Sequence, residues 1–504
     1  MSGGAYFRSV FRDDERCRLV SVAMFSPGVE VALVSTDLET QKANLLSSVH
    51  PIDAGKVVEQ HSDVVGFYRR RGVSVVDMRD ELADALAAGG KEGGGLLRGR
   101  VHEALRRKAA GVRGVFESAG RKHSDEALAD YLDGAGLPGG EVGETAKAFT
   151  GLVYRKVDAL VDSYPNVRRD DEARMRLIEG LVALDYARYG EKASALIDSL
   201  CLNRRHGRFY AAANQIFMRD SQVVMAGPGG SEGVIIIGKP KSEARAMESR
   251  HLIHVLNHHG IGVSLRGKRV GGVGGSVFGA DDLVLAGAPG GGAAGERKPY
   301  VIDLKRRIRR EFVMEMGDFY PLGRRLLIGG GARTTVDGVK PLFSDGLLAG
   351  KDVYFVESPA GGMGYETQQL WMHLDMYFMA LPTGQGKTNV AVCEDIARLS
   401  RISRLGYDKR VKAVKAEDLG TFWDFLSDPR QDFSVEPFSL SEQADMVGNS
   451  EILGPGELLS SAPKDHPFNR RLSAIGLTVH HVDISEIQKM HGGQHCITFD
   501  LIRR

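Results

Sequence analysis

Four short stretches set charged or amide side chains inside or against apolar, β-like runs: Asn214-Gln-Ile-Phe-Met-Arg219-Asp220, Met314-Glu315-Met-Gly-Asp318, Gly331-Ala-Arg333-Thr334-Thr335 and Met372-His373-Leu-Asp375. An ionised group taken out of water is costly unless it is paired or serves a site. A fold that buries these runs must therefore bring their polar groups to partners. A fifth stretch, His491-Gly-Gly-Gln-His-Cys496-Ile-Thr-Phe-Asp500, places a cysteine after a glycine pair and ahead of a β-like run from Ile497 to Leu501. This suits an exposed nucleophile, with His495 and His491 expected to lower the thiol pKa from its usual value of about 8.5. Singly, each feature has a plainer reading. A strand-end Asp forms a turn, a lone His is a satisfied structural group, and a lone Cys is a small buried hydrophobe.

Charge and cysteine usage exclude other classes. Lys and Arg total 66 against 65 Asp and Glu, a formal charge of +1, so nothing global points to nucleic acid or an anionic membrane. The four cysteines, Cys17, Cys201, Cys393 and Cys496, form no CxxC pair, which argues against a disulfide scaffold and a zinc site and for a reducing, cytoplasmic setting. Charges at Arg8, Arg12, Asp13 and Asp14 precede any apolar stretch of signal length, and no apolar run approaches membrane-spanning length. A soluble, untargeted chain is expected, with a homo-oligomer left open.

Along the chain, Leu19 to Met24 reads as a strand. A helix capped by Asp53 and closed at Gly72 leads to a second strand from Val73 to Val76. Apolar spacing of three and four then marks a helical stretch, including Phe149 to Tyr164 and Asp170 to Leu200. Further α/β units follow: strands at Ile216 to Met225, Gly233 to Ile237, Ile261 to Leu265, Arg325 to Ile328, Val353 to Val356, Leu374 to Leu381 and Thr478 to Asp483, and helices at Ser242 to His258, Val390 to Leu399 and Phe468 to Ile475. The division expected is residues 1–96 as the first part of an α/β fold, 97–202 as a helical insertion domain, and 203–504 as the remainder, with inserted loops at 266–310 and 408–467.

With these residues in order, the chain resembles the arginine deiminases of the guanidine-modifying superfamily, which also holds the amidinotransferases. The likeness runs through Phe25-Ser-Pro-Gly28, the helical insertion, the Asn214 and Asp220 pair, Glu315 to Asp318, Arg333-Thr-Thr, Met-His373-Leu-Asp375 and Gly-Gly-x-x-Cys496. It implies a five-bladed pseudo-symmetric α/β propeller, the pentein fold, with a helical insertion domain. It also implies hydrolysis of L-arginine to citrulline and ammonia, with no cofactor and no metal. Within it, Asp220 and Asp375 hold the flat guanidinium by paired N–H bonds. Cys496 attacks the guanidinium carbon, His373 acts as acid and then base, and Glu315 orients His373. The resemblance assigns the amino-acid end of the substrate to Asn214, Arg333, Arg245 and position 491, where this chain has His in place of Arg and so a weaker, pH-dependent partner for a carboxylate.

One stretch imitates another chemistry. Leu381-Pro-Thr-Gly-Gln-Gly386-Lys387-Thr388 is similar to a helicase phosphate loop but lacks the first glycine of the ordinary pattern and any companion acidic Mg²⁺ segment, so it reads as a glycine-rich turn. Sister readings keep the site and change the acceptor: amidinotransfer to an amine, or a dihydrolase releasing ornithine and two ammonias. A reading from another class is a non-catalytic guanidine sensor that meets a partner through Lys305 to Arg310.

Overall fold

The computed structural model describes residues 12, 14–88, 100–133, 139–205, 208–226, 233–242, 245, 247–260, 300–303, 313–331, 333–359, 365–383 and 387–504. They fall into two units interleaved along the sequence: Met1–Phe25, Gln60–Asp77 and Ile216–Arg504 in one, Ser26–Glu59 and Met78–Gln215 in the other. The second unit is helical and includes Gly139–Ser163, Glu172–Tyr189 and Lys192–Cys201, the last two parting at Gly190 where one helix was expected. It starts earlier than residue 97 because a buried ion set ties its segments: Arg79 Nη2 lies 2.6 Å from Asp185 Oδ2, and Nη1 lies 2.9 Å from Glu30 Oε1. Among the described residues no helix is long and apolar enough to cross a membrane.

The first unit is built from strands, in chain order β1 (Leu19–Met24), β2 (Ser74–Asp77), β3 (Gln222–Ala226), β4 (Gly233–Ile237), β5 (Tyr300–Asp303), β6 (Phe319–Leu322), β7 (Arg325–Gly330), β8 (Asp352–Glu357), β9 (Phe378–Ala380), β10 (Thr388–Cys393), β11 (Arg401–Asp408), β12 (Ala413–Thr421), β13 (Phe433–Phe438), β14 (Glu451–Gly454), β15 (Glu457–Ser460), β16 (Thr478–His481) and β17 (Phe499–Arg503). Among the described residues they form five sheets of one design, in which an antiparallel pair is followed by a parallel third strand: β17-β1-β2, β3-β4-β5, β6-β7-β8, β9-β10-β13 and β14-β15-β16. Parallel neighbours need a crossover. Helices supply it at Ala54–Arg70, Glu248–His258, Val336–Ser344, Phe422–Ser427 and Pro467–Ala474. The third sheet alone is extended, by the antiparallel hairpin of β11 and β12.

Most expected strands are present, and the departures are local. The runs read as strands from Ile216 and from Leu374 begin as helical turns, Met218–Ser221 and Leu374–Tyr377, before β3 and β9 start. Every residue of both turns is buried, so apolar periodicity cannot tell a turn from a buried strand there. The run Val390 to Leu399 is not one helix. Thr388, Val390 and Val392 alternate along β10, and the helix is confined to Glu394–Leu399. The segment 408–467 folds into β12 to β15 with two short helices between. The expected strand Ile261 to Leu265 lies outside the described residues, as does 266–310 apart from β5.

Candidate active site

The repeated design sets the polar residues. A short helical turn precedes the first strand of four sheets: Met218–Ser221 before β3, Met316–Asp318 before β6, Leu374–Tyr377 before β9 and Val447–Asn449 before β14. In the remaining sheet the loop carrying Cys496 precedes β17. Asp220, Glu315, Asp318, His373 and Asp375 all sit on or beside these turns, and all are at most 6% exposed.

His373 is held from two sides. Its Nε2 lies 2.9 Å from Glu315 Oε2 and its Nδ1 lies 3.5 Å from Asp220 Oδ1. Glu315 Oε1 in turn accepts from the Lys241 backbone N–H at 2.8 Å and from Arg333 Nη1 at 3.5 Å. Gly317 is required by close approach, because a Cβ there would stand 2.8 Å from His373 Nδ1 and 3.0 Å from Asp220 Oδ1. This accounts for the glycine between Glu315 and Asp318. Arg245 donates from Nη1 to Asp220 Oδ2 at 2.7 Å, and from Nε and Nη2 to the two oxygens of Glu248, each at 2.8 Å.

The thiol meets this cluster through Asp375. Cys496 Sγ lies 3.8 Å from Asp375 Oδ2, and that oxygen lies 2.8 Å from His495 Nδ1. Polar atoms of Asp220, Asp375 and Cys496 all lie within 4.8 Å of one another, a buried set suited to a cation, metallic or organic. One oxygen of each carboxylate, Asp220 Oδ1 and Asp375 Oδ1, is buried with no hydrogen bond, the first having only the longer 3.5 Å contact with His373 Nδ1. Orphaned carboxylate oxygens are costly, and a flat cation with paired N–H groups would satisfy both.

The electrostatics sort these groups by role. Burial alone would push His373 down, but Asp220, the Glu315 hydrogen bond and Asp318 outweigh it and raise its pKa to about 9. Burial likewise favours protonating Glu315, yet Arg333, His373 and Arg245 hold its carboxyl well below the usual carboxylate range. Asp375 is raised to about 8, first by burial and then by Asp220. Two expectations for the thiol are corrected. Cys496 is 2% exposed, not an exposed nucleophile, and its thiol is pushed well above its ordinary value by burial, Asp375 and Asp220. His495 does not supply positive charge, since burial and Arg219 push it well below the usual histidine range.

The remaining expected residues are placed as follows. Arg333 meets Glu315, while His491 takes left-handed backbone (φ 70°) and turns Nε2 to within 3.4 Å of Glu366 Oε2. Asn214 belongs to the helical unit, where its Nδ2 donates to the carbonyl of Asn44. Two residues of the site had no role assigned to them from sequence. Asp318 accepts from Thr334 Oγ1 at 2.6 Å and from the Leu374 backbone N–H at 3.0 Å. Asn449 bonds both the cysteine loop and the Asp375 turn. Asp318 was within reach, as the fourth residue of the Glu315 stretch.

Behind the cysteine loop lie six buried ionisable groups. Arg219 donates to Glu15 Oε1 and to the Phe319 carbonyl, both at 2.8 Å. Arg503 donates to Asp500 Oδ2 at 2.8 Å and pairs with Glu451, and Arg12 pairs with Glu15 and lies 3.5 Å from Asp500.

These arrangements bring Cys496, His373 and three carboxyl groups, Asp220, Glu315 and Asp375, into one buried cluster. Residues 293–503 match the family model of arginine deiminase, a stretch that includes Glu315, Arg333, His373, Asp375, His491 and Cys496. A search of curated proteins finds no significant match. Among solved structures, a dimethylarginine dimethylaminohydrolase adduct with 4-chloro-2-hydroxymethylpyridine is similar at 13% identity and TM-score 0.41, over 95% of this chain and 99% of that one. The N-terminal domain of ArgZ, an arginine dihydrolase from the ornithine-ammonia cycle in Cyanobacteria, is similar at 13% identity and TM-score 0.34, over 58% and 77%. Unliganded AgrE is similar at 13% identity and TM-score 0.35, over 58% of this chain; the chain spans 31% of AgrE.

Proposed function

We propose that the chain hydrolyses L-arginine to L-citrulline and ammonia through a covalent thiouronium on Cys496, and that its five like-built sheets are the blades of a five-bladed pentein propeller. The observation that carries the reading is the pair of buried oxygens without a hydrogen bond, Asp220 Oδ1 and Asp375 Oδ1, on carboxyl groups that sit with the Cys496 thiol inside a 4.8 Å cluster. A guanidinium placed there donates N–H bonds to both carboxylates and sets its carbon before the sulfur. Burial and the two carboxyl groups keep the thiol protonated, and the guanidinium charge favours ionisation of Asp375 and of the thiol alike, so Cys496 loses its proton to solvent and attacks as thiolate.

The C–S bond forms and one C–N bond breaks as His373, protonated at neutral pH with a pKa of about 9, gives its proton to the departing amine, which leaves as ammonia. Neutral His373 then takes a proton from water, whose oxygen attacks the thiouronium carbon. The C–S bond breaks to release the ureido product and the thiolate. Glu315 holds His373 by its Nε2, and Arg245 holds Asp220. A substrate-carboxylate contact from Arg245 would require it to leave Glu248 and Asp220, so its proposed task is to aim Asp220.

The test pairs product analysis with trapping. Purified chain given L-arginine should release citrulline and ammonia in equal amounts, and acid-quenched turnover should show a substrate-derived mass on the Cys496 peptide. Ornithine without ammonia would mean transfer to an amine. Ornithine with two ammonias would mean dihydrolysis. Turnover by Cys496→Ala would end the assignment.

A further inference from the structure

We propose that Asn449 is a positioning residue that sets the nucleophile loop and the Asp375 turn against each other. It occupies in the β14 sheet the place that Asp220 and Asp375 occupy in theirs, the helical turn before the first strand. Its side chain is fully buried and every polar atom is spent on the site. Oδ1 accepts from the backbone N–H of Cys496 at 3.1 Å and of Gly493 at 2.9 Å. Nδ2 donates to the Asp375 carbonyl at 2.9 Å, and the Asn449 carbonyl accepts from the His495 N–H at 3.1 Å and from Ser461 Oγ at 2.6 Å. Ser461 Oγ then accepts from the Gln494 N–H at 2.8 Å.

Backbone N–H groups of Gly493, Gln494, His495 and Cys496 are thus all fastened to Asn449 or to the serine bound to it. The second glycine of the pair answers the same contact. A Cβ at Gly493 would stand 2.8 Å from both the carbonyl oxygen and Oδ1 of Asn449. An amide suits this position where a carboxylate does not. It accepts toward the loop and donates toward Asp375 without adding a third carboxyl group beside the thiol, and its hydrogen bonding also favours the thiolate.

The proposal rests on Cys496 as the nucleophile, and its test has one arm independent of turnover. Full-length wild type, Asn449→Asp, Asn449→Ala and a control, Asn469→Ala, are alkylated with iodoacetamide from pH 6 to 11, with modification of the Cys496 peptide read by mass spectrometry. Asn469 is a buried amide bonded to Ser460 and to backbone carbonyls away from the cysteine loop. Both Asn449 variants should shift the alkylation midpoint to higher pH. They should lower kcat for L-arginine by about 10²-fold, the size expected for a small misplacement of reacting groups, with KM changed much less. The control should keep the wild-type alkylation profile.

Asn449→Asp retains both acceptor functions, so it is the variant to read if the alanine form fails to fold. If neither folds, Ser461→Ala carries the same expectation at smaller size. A folded Asn449 variant with the wild-type alkylation profile and kcat overturns the proposal. Wild type that releases no citrulline, while the Asn449 variants still shift alkylation, would refute the arginine reading and leave the positioning role standing.

Discussion

Glu315→Gln isolates what the buried carboxylate does for His373. The pair meets at 2.9 Å with no solvent exposure on the glutamate, and His373 is raised to about 9. A hydrogen bond to an ionised partner contributes roughly 1.5–3 kcal/mol, which at about 1.4 kcal/mol per pKa unit corresponds to about one to two units. The amide keeps the shape and an acceptor oxygen but removes the charge, so His373 should titrate at about 7 to 8 in the variant. At pH 8 the protonated fraction then falls from about nine-tenths to between about one-half and one-tenth, while at pH 6 it hardly changes. Stopped-time citrulline assays across pH 5.5–10 should therefore show the alkaline limb of kcat moving about one to two units toward acid, with roughly two- to tenfold loss at pH 8. Any pH-independent loss on top of this measures orientation. An unmoved alkaline limb would refute the claim that Glu315 sets the charge state of His373.

Asp375→Asn should inactivate the protein and yet stabilise it above about pH 5. The native carboxyl keeps its proton up to about 8 while the unfolded one ionises in the ordinary range, so stability falls as pH rises between those values. The amide removes that slope, which urea titrations at pH 5 and 8 would read; equal slopes in variant and wild type would contradict it. Gly493→Ala should destabilise by about 1–3 kcal/mol and abolish turnover, since its Cβ would meet Ser461 Oγ at 2.5 Å and Asn449 oxygens at 2.8 Å; an unchanged Tm would show that the loop can shift. His491→Arg should lower KM for L-arginine by supplying a forked partner for the α-carboxylate in place of an imidazole engaged by Glu366, and an unchanged KM would place the carboxylate elsewhere.

Much of the site was legible because its chemistry departs from local rules. Asp220, Glu315, His373 and Asp375 sit in runs too apolar for unpaired charges, and Cys496 follows glycines that no strand or helix interior favours. What stayed hidden depends on contacts far away in sequence. Asn449 lies in a stretch of mixed polarity, and an asparagine before a strand looks like an ordinary turn former until Gly493 and Cys496 are seen to donate to it. Burial of the thiol, and the neutrality that burial and Arg219 impose on His495, are likewise properties of the packed interior. The helical turns Met218–Ser221 and Leu374–Tyr377 passed for strand because they are covered on every side.

The six ionisable groups behind the cysteine loop, Arg12, Arg219 and Arg503 against Glu15, Glu451 and Asp500, pair three bases with three acids with almost no access to water, burial and Asp500 raising Glu451 to about 8. Losing one member strands an odd charge at a cost of several kcal/mol, whereas losing a cation together with an anion leaves the interior neutral. In any lineage that carries this ensemble, replacements should arrive as matched opposite-sign pairs, so the three arginines and three acids would be inherited as a single compound character.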